Sequence, residues 1–179
     1  MRTIIFDLEA TCWRDQHLPQ EMETIEIGAV ALDENGAIQS EFDCFVRPVV
    51  HPQLSDFCTK LTSITQSDVD GTDTFAIAFA RFVAWAQEGG EPLVLVSWGD
   101  YDPRQLQADC ARAGIDYPAS FGHHVNIKQR FAELHVIKPI GMVRALKTLG
   151  LPLTGTPHRG IDDARNIAAI AQTMLAQLR

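Results

Sequence analysis

Cysteine, long apolar runs and a signal-peptide segment are scarce or absent in this 179-residue chain. The four cysteines form no Cys-x-x-Cys pair, which argues against a structural zinc motif and favours reduced thiols in a cytoplasmic protein. No stretch approaches the roughly 20 apolar residues that span a bilayer. The N-terminus runs straight into Asp7 and Glu9, without the apolar region of a signal peptide. We therefore expect a cytoplasmic protein with no membrane partner.

Positive charge is also scarce, since 15 Lys and Arg residues stand against 23 Asp and Glu residues, for a net charge of −8. A protein that coats nucleic acid would be basic, so the charge argues weakly against that class. It does not exclude an enzyme that acts on nucleic acid, because cations bound at a cluster of acids offset their charge locally.

Apolar and turn patterns predict three strands followed by alternating helices and strands. After the first strand, further strands are expected at 24–33 and 37–47, joined by the turn 33–36, which ends in Asn-Gly. Later segments predict short helical pieces at 54–69, helices at 74–87, 102–113, 140–149 and 162–178, a buried strand at 92–98 and a short strand at 125–128. This order indicates one α/β domain over residues 1–179 with a mixed sheet.

The first strand carries two acids directly after the apolar residues Ile4, Ile5 and Phe6. Asp7 and Glu9 are two residues apart, so on a strand they point to the same face. Two adjacent carboxylates resist ionising together unless a positive charge lies between them, and a divalent metal ion is the simplest such charge. The alternative is that the strand ends at Phe6 and both acids are solvated loop residues.

Acids follow the predicted elements at two further places. Asp100 and Asp102 come after the buried strand, where sites in open α/β sheets collect, although Asp102 also fits a helix N-cap because a proline follows it. Asp162 and Asp163 lie in the first turn of the last predicted helix, where carboxylates also suit the helix dipole. His158 precedes Asp163 by five residues and could hang over it, although a loop histidine is more often structural.

Together these acids suggest a metal-dependent hydrolase. Asp7, Glu9, Asp102 and Asp163 would place four carboxylates around one or two Mg²⁺ or Mn²⁺ ions, since hard cations take oxygen ligands. Two such ions can activate water and stabilise the leaving oxygen of a phosphodiester. His158, whose ordinary pKa is near neutrality, suits a general base.

Phe-Asp-x-Glu-Ala-Thr at 6–11, a middle Asp that opens a helix and His-x-x-x-x-Asp at 158–163 resemble the motifs of the DEDDh 3′–5′ exonucleases. Within that group the chain is similar to the Eri-1 and histone-mRNA 3′-exonuclease subfamily. The segments that carry this closer resemblance are 6–12, 47–48, 51–58, 61–66 and 158–168. The resemblance implies a ribonuclease-H-like fold, a mixed five-stranded sheet of three antiparallel strands followed by parallel strands, flanked by helices.

The resemblance also implies a reaction and a set of site residues. Asp7, Glu9, Asp102 and Asp163 would bind two Mg²⁺ or Mn²⁺ ions, and His158 would be the general base. The family pattern of an aromatic residue followed by Asp selects Asp102, with Asp100 as the fallback, and the five-residue spacing selects Asp163 over Asp162. The implied reaction releases nucleoside 5′-monophosphates from the 3′ ends of single-stranded RNA or DNA.

The resemblance further implies residues that contact the substrate. Leu8, Ala10 and Thr11 would flank the terminal nucleotide through their backbone, beside His158. Trp13 and Phe57 could stack bases, although burial of Phe57 in a short helix is equally compatible with the sequence. Three basic residues could meet phosphates but are expected to be solvated surface residues: Arg159, Lys128 and Lys60.

The sequence is also compatible with two other functions. One is a scavenger of very short oligoribonucleotides, and the other is a non-catalytic module that keeps the fold and binds nucleic acid or protein. The sequence does not decide between RNA and DNA.

Overall fold

The computed structural model describes residues 1–14 and 20–178, and in these a five-stranded sheet has the order β3-β2-β1-β4-β5. The strands are β1 Arg2–Ala10, β2 Thr24–Leu32, β3 Ile38–Phe45, β4 Leu93–Ser97 and β5 His124–Asn126. Strands β1, β2 and β3 pair antiparallel, whereas β4 pairs parallel with both β1 and β5. The predicted mixed sheet is therefore confirmed.

Seven helices of the described residues flank this sheet. They are α1 Asp56–Thr62, α2 Gln66–Asp70, α3 Phe75–Ala86, α4 Tyr101–Ala113, α5 Ile127–His135, α6 Met142–Leu149 and α7 Gly160–Gln172. None of the described helices is long and apolar enough to cross a membrane.

The sheet separates two apolar layers, and β1 contributes to both because its successive side chains point to opposite faces. Ile4 and Phe6 pack on the layer that contains α3 and α4, whereas Ile5 packs on the layer of α5, α6 and α7. Asp7 and Glu9 continue the alternation of Ile5. The strand therefore directs both acids towards the face that α7 covers.

Most predicted elements are present, with three corrections. Helix α4 begins at Tyr101 with Asp100 before it, so the prediction that Asp102 is the N-cap was wrong. The last helix begins at Gly160 and ends at Gln172, followed by a 3₁₀ turn at 175–177. Helix α5 was not predicted, because its mixed polar sequence gives only a short apolar face, Ile127, Phe131 and Ala132.

Candidate active site

Strand β1 extends to Ala10, so Asp7 and Glu9 both lie on a strand, and the solvated-loop alternative was wrong. On the neighbouring strand Asp7 faces Gly28, and Glu9 faces Glu26. Glu9 is buried, with 8% of its surface exposed. The two acids therefore lie side by side near the carboxyl end of β1, where solvation is reduced.

Helix α7 reaches these acids because two glycines allow the backbones to touch. A Cβ atom at Gly28 would lie 2.0 Å from the carbonyl carbon of Gly160, and one at Gly160 would lie 3.0 Å from the Asp7 carbonyl oxygen. Only glycine fits so close an approach. The first turn of α7, which carries Asp163, is consequently held against β1 and β2.

Asp102 comes to the same place from α4, at the carboxyl end of the parallel strand β4. It is buried, and its Oδ1 accepts a hydrogen bond of 3.1 Å from the Leu8 backbone N–H, between the two acids of β1. Asp100, the sequence alternative, is exposed and precedes the helix. The structure thus brings Asp102, and not Asp100, against β1.

His158 and Asp163 lie next to each other through a short backbone contact. The His158 backbone N–H donates to Asp163 Oδ2 at 3.1 Å, and the His158 side chain is exposed. Glu9, His158 and Asp163 each offer a ligand atom, and these atoms all lie within 4.8 Å of one another. Asp162, the other acid of this turn, accepts from the Thr156 N–H and from Arg165 instead.

The carboxylates hold their protons more tightly than ordinary acids do. Burial, and then the charges of Asp102, Glu9 and Asp163, raise the pKa of Asp7 well above its usual range. Burial and the charge of Glu26 raise the pKa of Glu9 to about 8. Burial likewise raises the pKa of Asp102 to about 6 and moves that of Asp163 upwards.

These acids fit a divalent cation on chemical grounds. Asp163 Oδ1 is buried and accepts no hydrogen bond from the described residues. A buried carboxylate oxygen without a donor is costly, and a cation satisfies it. The donor set around it consists mainly of carboxylate oxygens, which suit Mg²⁺ or Mn²⁺.

The residues predicted to contact the substrate, Leu8, Ala10 and Thr11, already make packing contacts and hydrogen bonds within the fold. Leu8 and Ala10 are buried, and the Leu8 N–H is already used by Asp102. The Thr11 N–H donates to the Glu23 carbonyl, and the Thr11 hydroxyl accepts from the Glu23 N–H at 3.0 Å. These backbone and hydroxyl groups are therefore already hydrogen-bonded within the fold.

The two aromatic candidates lie in different parts of the chain, Trp13 in the segment that follows β1 and Phe57 in α1. Trp13 is half-buried and packs edge-on against His51, with ring centroids 4.8 Å apart. Phe57 is half-buried in α1, and the guanidinium carbon of Arg14 lies 5.5 Å from its ring centroid. Both rings keep part of their surface accessible, so the structure excludes full burial of Phe57.

Two residues next to the site were missed or misjudged from the sequence. Glu26 is fully buried in β2 and accepts from Arg159, which is therefore not the solvated surface residue expected. The signal was available in part, because Glu26 interrupts the apolar strand Thr24–Leu32. Its pairing with Arg159 could not be predicted from the sequence, since the two residues are 133 positions apart.

The known proteins that resemble this chain include several exonucleases. The sequence model of the exonuclease family RNase_T matches residues 4–171. ERI1 exoribonuclease 2 of Xenopus laevis is 36% identical over 194 residues, covering 96% of this chain and 28% of that protein. The 3′-5′ exonuclease Snipper of Drosophila melanogaster is 33% identical, covering 96% of this chain and 68% of that protein.

Among solved structures, the nuclease domain of 3′hExo, a DEDDh family member bound to rAMP, superposes with a TM-score of 0.93 at 32% identity, covering 99% of this chain and 94% of that one. The chain spans about a third or less of the length of the ERI1 exoribonuclease 2 proteins that it matches. DEDDh exonucleases depend on divalent metal ions. The chain belongs to the RNase_T exonuclease family, in its DEDDh group and with the ERI1 exoribonucleases as relatives.

Proposed function

We propose that this protein is a divalent-metal-dependent 3′–5′ exonuclease that releases nucleoside 5′-monophosphates from single-stranded RNA. The observation that carries the proposal is the convergence of Asp7, Glu9, Asp102 and Asp163 with His158 near the carboxyl end of the central strand β1, where Asp163 Oδ1 accepts no hydrogen bond from the described residues. The names of the ERI1 exoribonucleases and the rAMP bound to 3′hExo support RNA and a mononucleotide product.

Asp7, Glu9, Asp102 and Asp163 would hold two Mg²⁺ or Mn²⁺ ions. When bound, such ions stabilise negative charge on the reacting phosphate and make water a stronger nucleophile at neutral pH. Their positive charge would also keep the four carboxylates ionised, which burial and mutual repulsion oppose in the metal-free protein.

His158 would act as the general base. Its ring is exposed at the edge of the cluster, close to Glu9 and Asp163, where it can take a proton from the attacking water and release it to solvent. An exposed imidazole exchanges its proton readily, which suits a base that must be reset after every cleavage.

Trp13 and Phe57 would stack the terminal bases of the single strand. Both residues are half-buried and keep part of their surface accessible, and stacking accepts any base because every base has a π-face. The strand end would thus be held by its shape and backbone rather than by its sequence. The cytoplasm, where the thiols stay reduced, is our proposed compartment.

The direct test is a timed digestion of 3′-end-matched, 5′-labelled RNA and DNA with Mg²⁺, Mn²⁺ or EDTA. We expect stepwise shortening from the 3′ end and 5′-monophosphate products with either metal and none with EDTA. Asp100→Asn is the matched control for Asp102→Asn, because Asp100 is exposed and outside the cluster. The control should cleave normally and Asp102→Asn should not.

Substrate length separates the other two functions from this one. A series from dinucleotides to 20-nucleotide strands should be degraded with similar rates per bond. Cleavage confined to the shortest members would indicate a scavenger of short oligoribonucleotides, and tight RNA binding without shortening would indicate a non-catalytic module. Either result would overturn the proposal.

A further inference from the structure

We propose that Glu26 and Arg159 are positioning residues, which fix the backbone that carries His158 so that its exposed ring is presented to Glu9 and Asp163. This inference rests on the proposed role of His158 as general base. Neither Glu26 nor Arg159 is assigned to the reaction itself.

The first observation is the set of hydrogen bonds that Glu26 accepts. Its carboxylate accepts from Arg159 Nε at 3.2 Å and Nη2 at 3.3 Å, and from the Gly160 backbone N–H at 2.9 Å. The Arg159 guanidinium carbon also lies 5.0 Å from the ring centroid of Phe45. The buried Glu26 carboxylate thus holds the side chain of Arg159 and the backbone of Gly160, the two residues that follow His158.

The second observation is the backbone of His158 itself. Its φ angle is +60°, a left-handed conformation that non-glycine residues adopt rarely. Such conformations persist where the surrounding structure fixes them, and they are frequent at functional sites. The His158 N–H donates to Asp163 Oδ2 on one side, and the Glu26 bonds hold Arg159 and Gly160 on the other.

The third observation is that the ring has little else to hold it. His158 is exposed, and among the described residues its only hydrogen bond is through the backbone N–H. The main chain fixes the Cα–Cβ bond of His158 and thereby the region that its ring can reach, which includes Glu9 and Asp163. Fixing the backbone with Glu26 and Arg159 would pre-organise the base before the substrate arrives.

A purely stabilising ion pair is the competing explanation. Such a pair would contribute to folding without any particular connection to His158, and a buried ion pair is by itself weak evidence for stability. The two explanations differ in whether the loss depends on His158. A double-mutant cycle measures that dependence.

The variants are Arg159→Met, which removes the charge but keeps the chain length, and Arg159→Lys, which keeps the charge but loses the two-pronged contact. Glu26→Gln keeps an acceptor for Gly160 and removes the ion pair. Arg165→Ala is the matched control. Arg165 lies on α7, which begins directly after Arg159, and it also pairs with a strand carboxylate, Glu41.

We expect Arg159→Met and Glu26→Gln to lower kcat by about 10- to 100-fold, the loss typical of a misplaced catalytic group. KM should stay within about threefold, since substrate contacts remain. Arg159→Lys should recover part of the loss, and Arg165→Ala should keep the wild-type kcat. If Arg159→Met does not fold, the comparison of Arg159→Lys with Glu26→Gln replaces it.

In the His158→Ala background the same substitutions should cause no further loss of kcat. A loss by the same factor in both backgrounds would show that the pair acts independently of His158 and would overturn the inference. Thermal unfolding of every variant shows whether the compared proteins are folded.

The position of the His158 ring can also be tested without measuring nuclease activity. The His158 ring signals in the NMR spectrum of the metal-free protein are assigned by their loss in His158→Ala. We expect Arg159→Met to move them towards the shifts of an unconstrained histidine and Arg165→Ala to leave them in place. Unchanged signals in Arg159→Met would overturn the inference. Absence of nuclease activity in the wild-type protein would instead overturn the proposed function, and the ring signals would still report the positioning.

Discussion

Two buried clusters of polar side chains, one around Asp109 and one around Asp163, differ in how their carboxylate oxygens are satisfied. Asp109 is 3% exposed and accepts from the Thr24 N–H and hydroxyl, from Gln105 and from Arg112. Asp163 is similarly buried, yet one of its oxygens accepts no hydrogen bond from the described residues, and its acidic neighbours repel it. A buried carboxylate that serves the fold is surrounded by donors, whereas Asp163 in the candidate active site has one oxygen with no donor among the described residues, which a cation would satisfy.

The largest expected effect is on catalysis. Asp7→Asn should reduce RNA cleavage below detection, because Asp7 feels the charges of Glu9, Asp102 and Asp163 and belongs with them to the set that would hold the metal ions. Asp109→Asn, the control from the satisfied cluster, should cleave RNA when folded. Steady-state digestion of labelled RNA measures both, and near-wild-type turnover in Asp7→Asn would refute the metal assignment.

His158→Ala should lower kcat by about 10²–10⁴-fold, the loss typical of a missing general base. The acidic side of the pH–rate profile should also change, since the group that must be unprotonated is gone. Rates measured across pH with saturating Mg²⁺ test this prediction. A variant with the wild-type profile would exclude His158 from that role.

Metal removal should make the stability of the protein depend on pH. The pKa of Glu9 is raised from 4.5 to about 8 in the folded protein. Between these two pH values the folded state therefore holds a proton that the unfolded state has lost. Its contribution to stability is complete below about pH 4.5 and is lost as the pH rises through about 8.

In EDTA we therefore expect the free energy of unfolding to fall by roughly 3–4 kcal/mol between pH 5 and pH 8. Added Mn²⁺ should recover the loss, with a larger increase at pH 8 than at pH 5. Chemical denaturation at the two pH values measures this. A metal-free protein that is more stable at pH 8 than at pH 5 would contradict this prediction.

The smallest effects are those of neutralising one acid in each cluster. Asp7→Asn should raise the free energy of unfolding in EDTA by about 1 kcal/mol, because it removes a repelling buried charge. Asp109→Asn should lower it by about 1.5–3 kcal/mol, because hydrogen bonds to a charged acceptor are lost. Changes of the same sign in the two variants would remove the distinction between the clusters.

The sequence predicted the parts of the site that depend on local pattern. Alternation along β1 was sufficient to put Asp7 and Glu9 on one face, and the spacing of the last motif pointed to Asp163 rather than Asp162. Asp102 was identified through its motif, but its expected role as an N-cap was wrong. Its carboxylate turns inward to the Leu8 N–H, a contact between residues 94 positions apart that local pattern cannot contain.

Glu26 shows the same limit more clearly. A charged residue in an otherwise apolar strand is visible in the sequence, but its position opposite Glu9 and beneath Arg159 depends on the register of β1 and β2 and on the approach of Gly28 to Gly160. Helix α5 was missed for a different reason, since its short apolar face gives too few repeats to establish a helical period.

The metal site is tested most directly by a calorimetric titration of the metal-free protein with Mn²⁺ at pH 8, performed on the wild type, Asp7→Asn and Asp109→Asn. We expect saturable binding of two ions to the wild type and to Asp109→Asn, and loss of at least one ion in Asp7→Asn. Equal binding by all three proteins, or no saturable binding by the wild type, would contradict it.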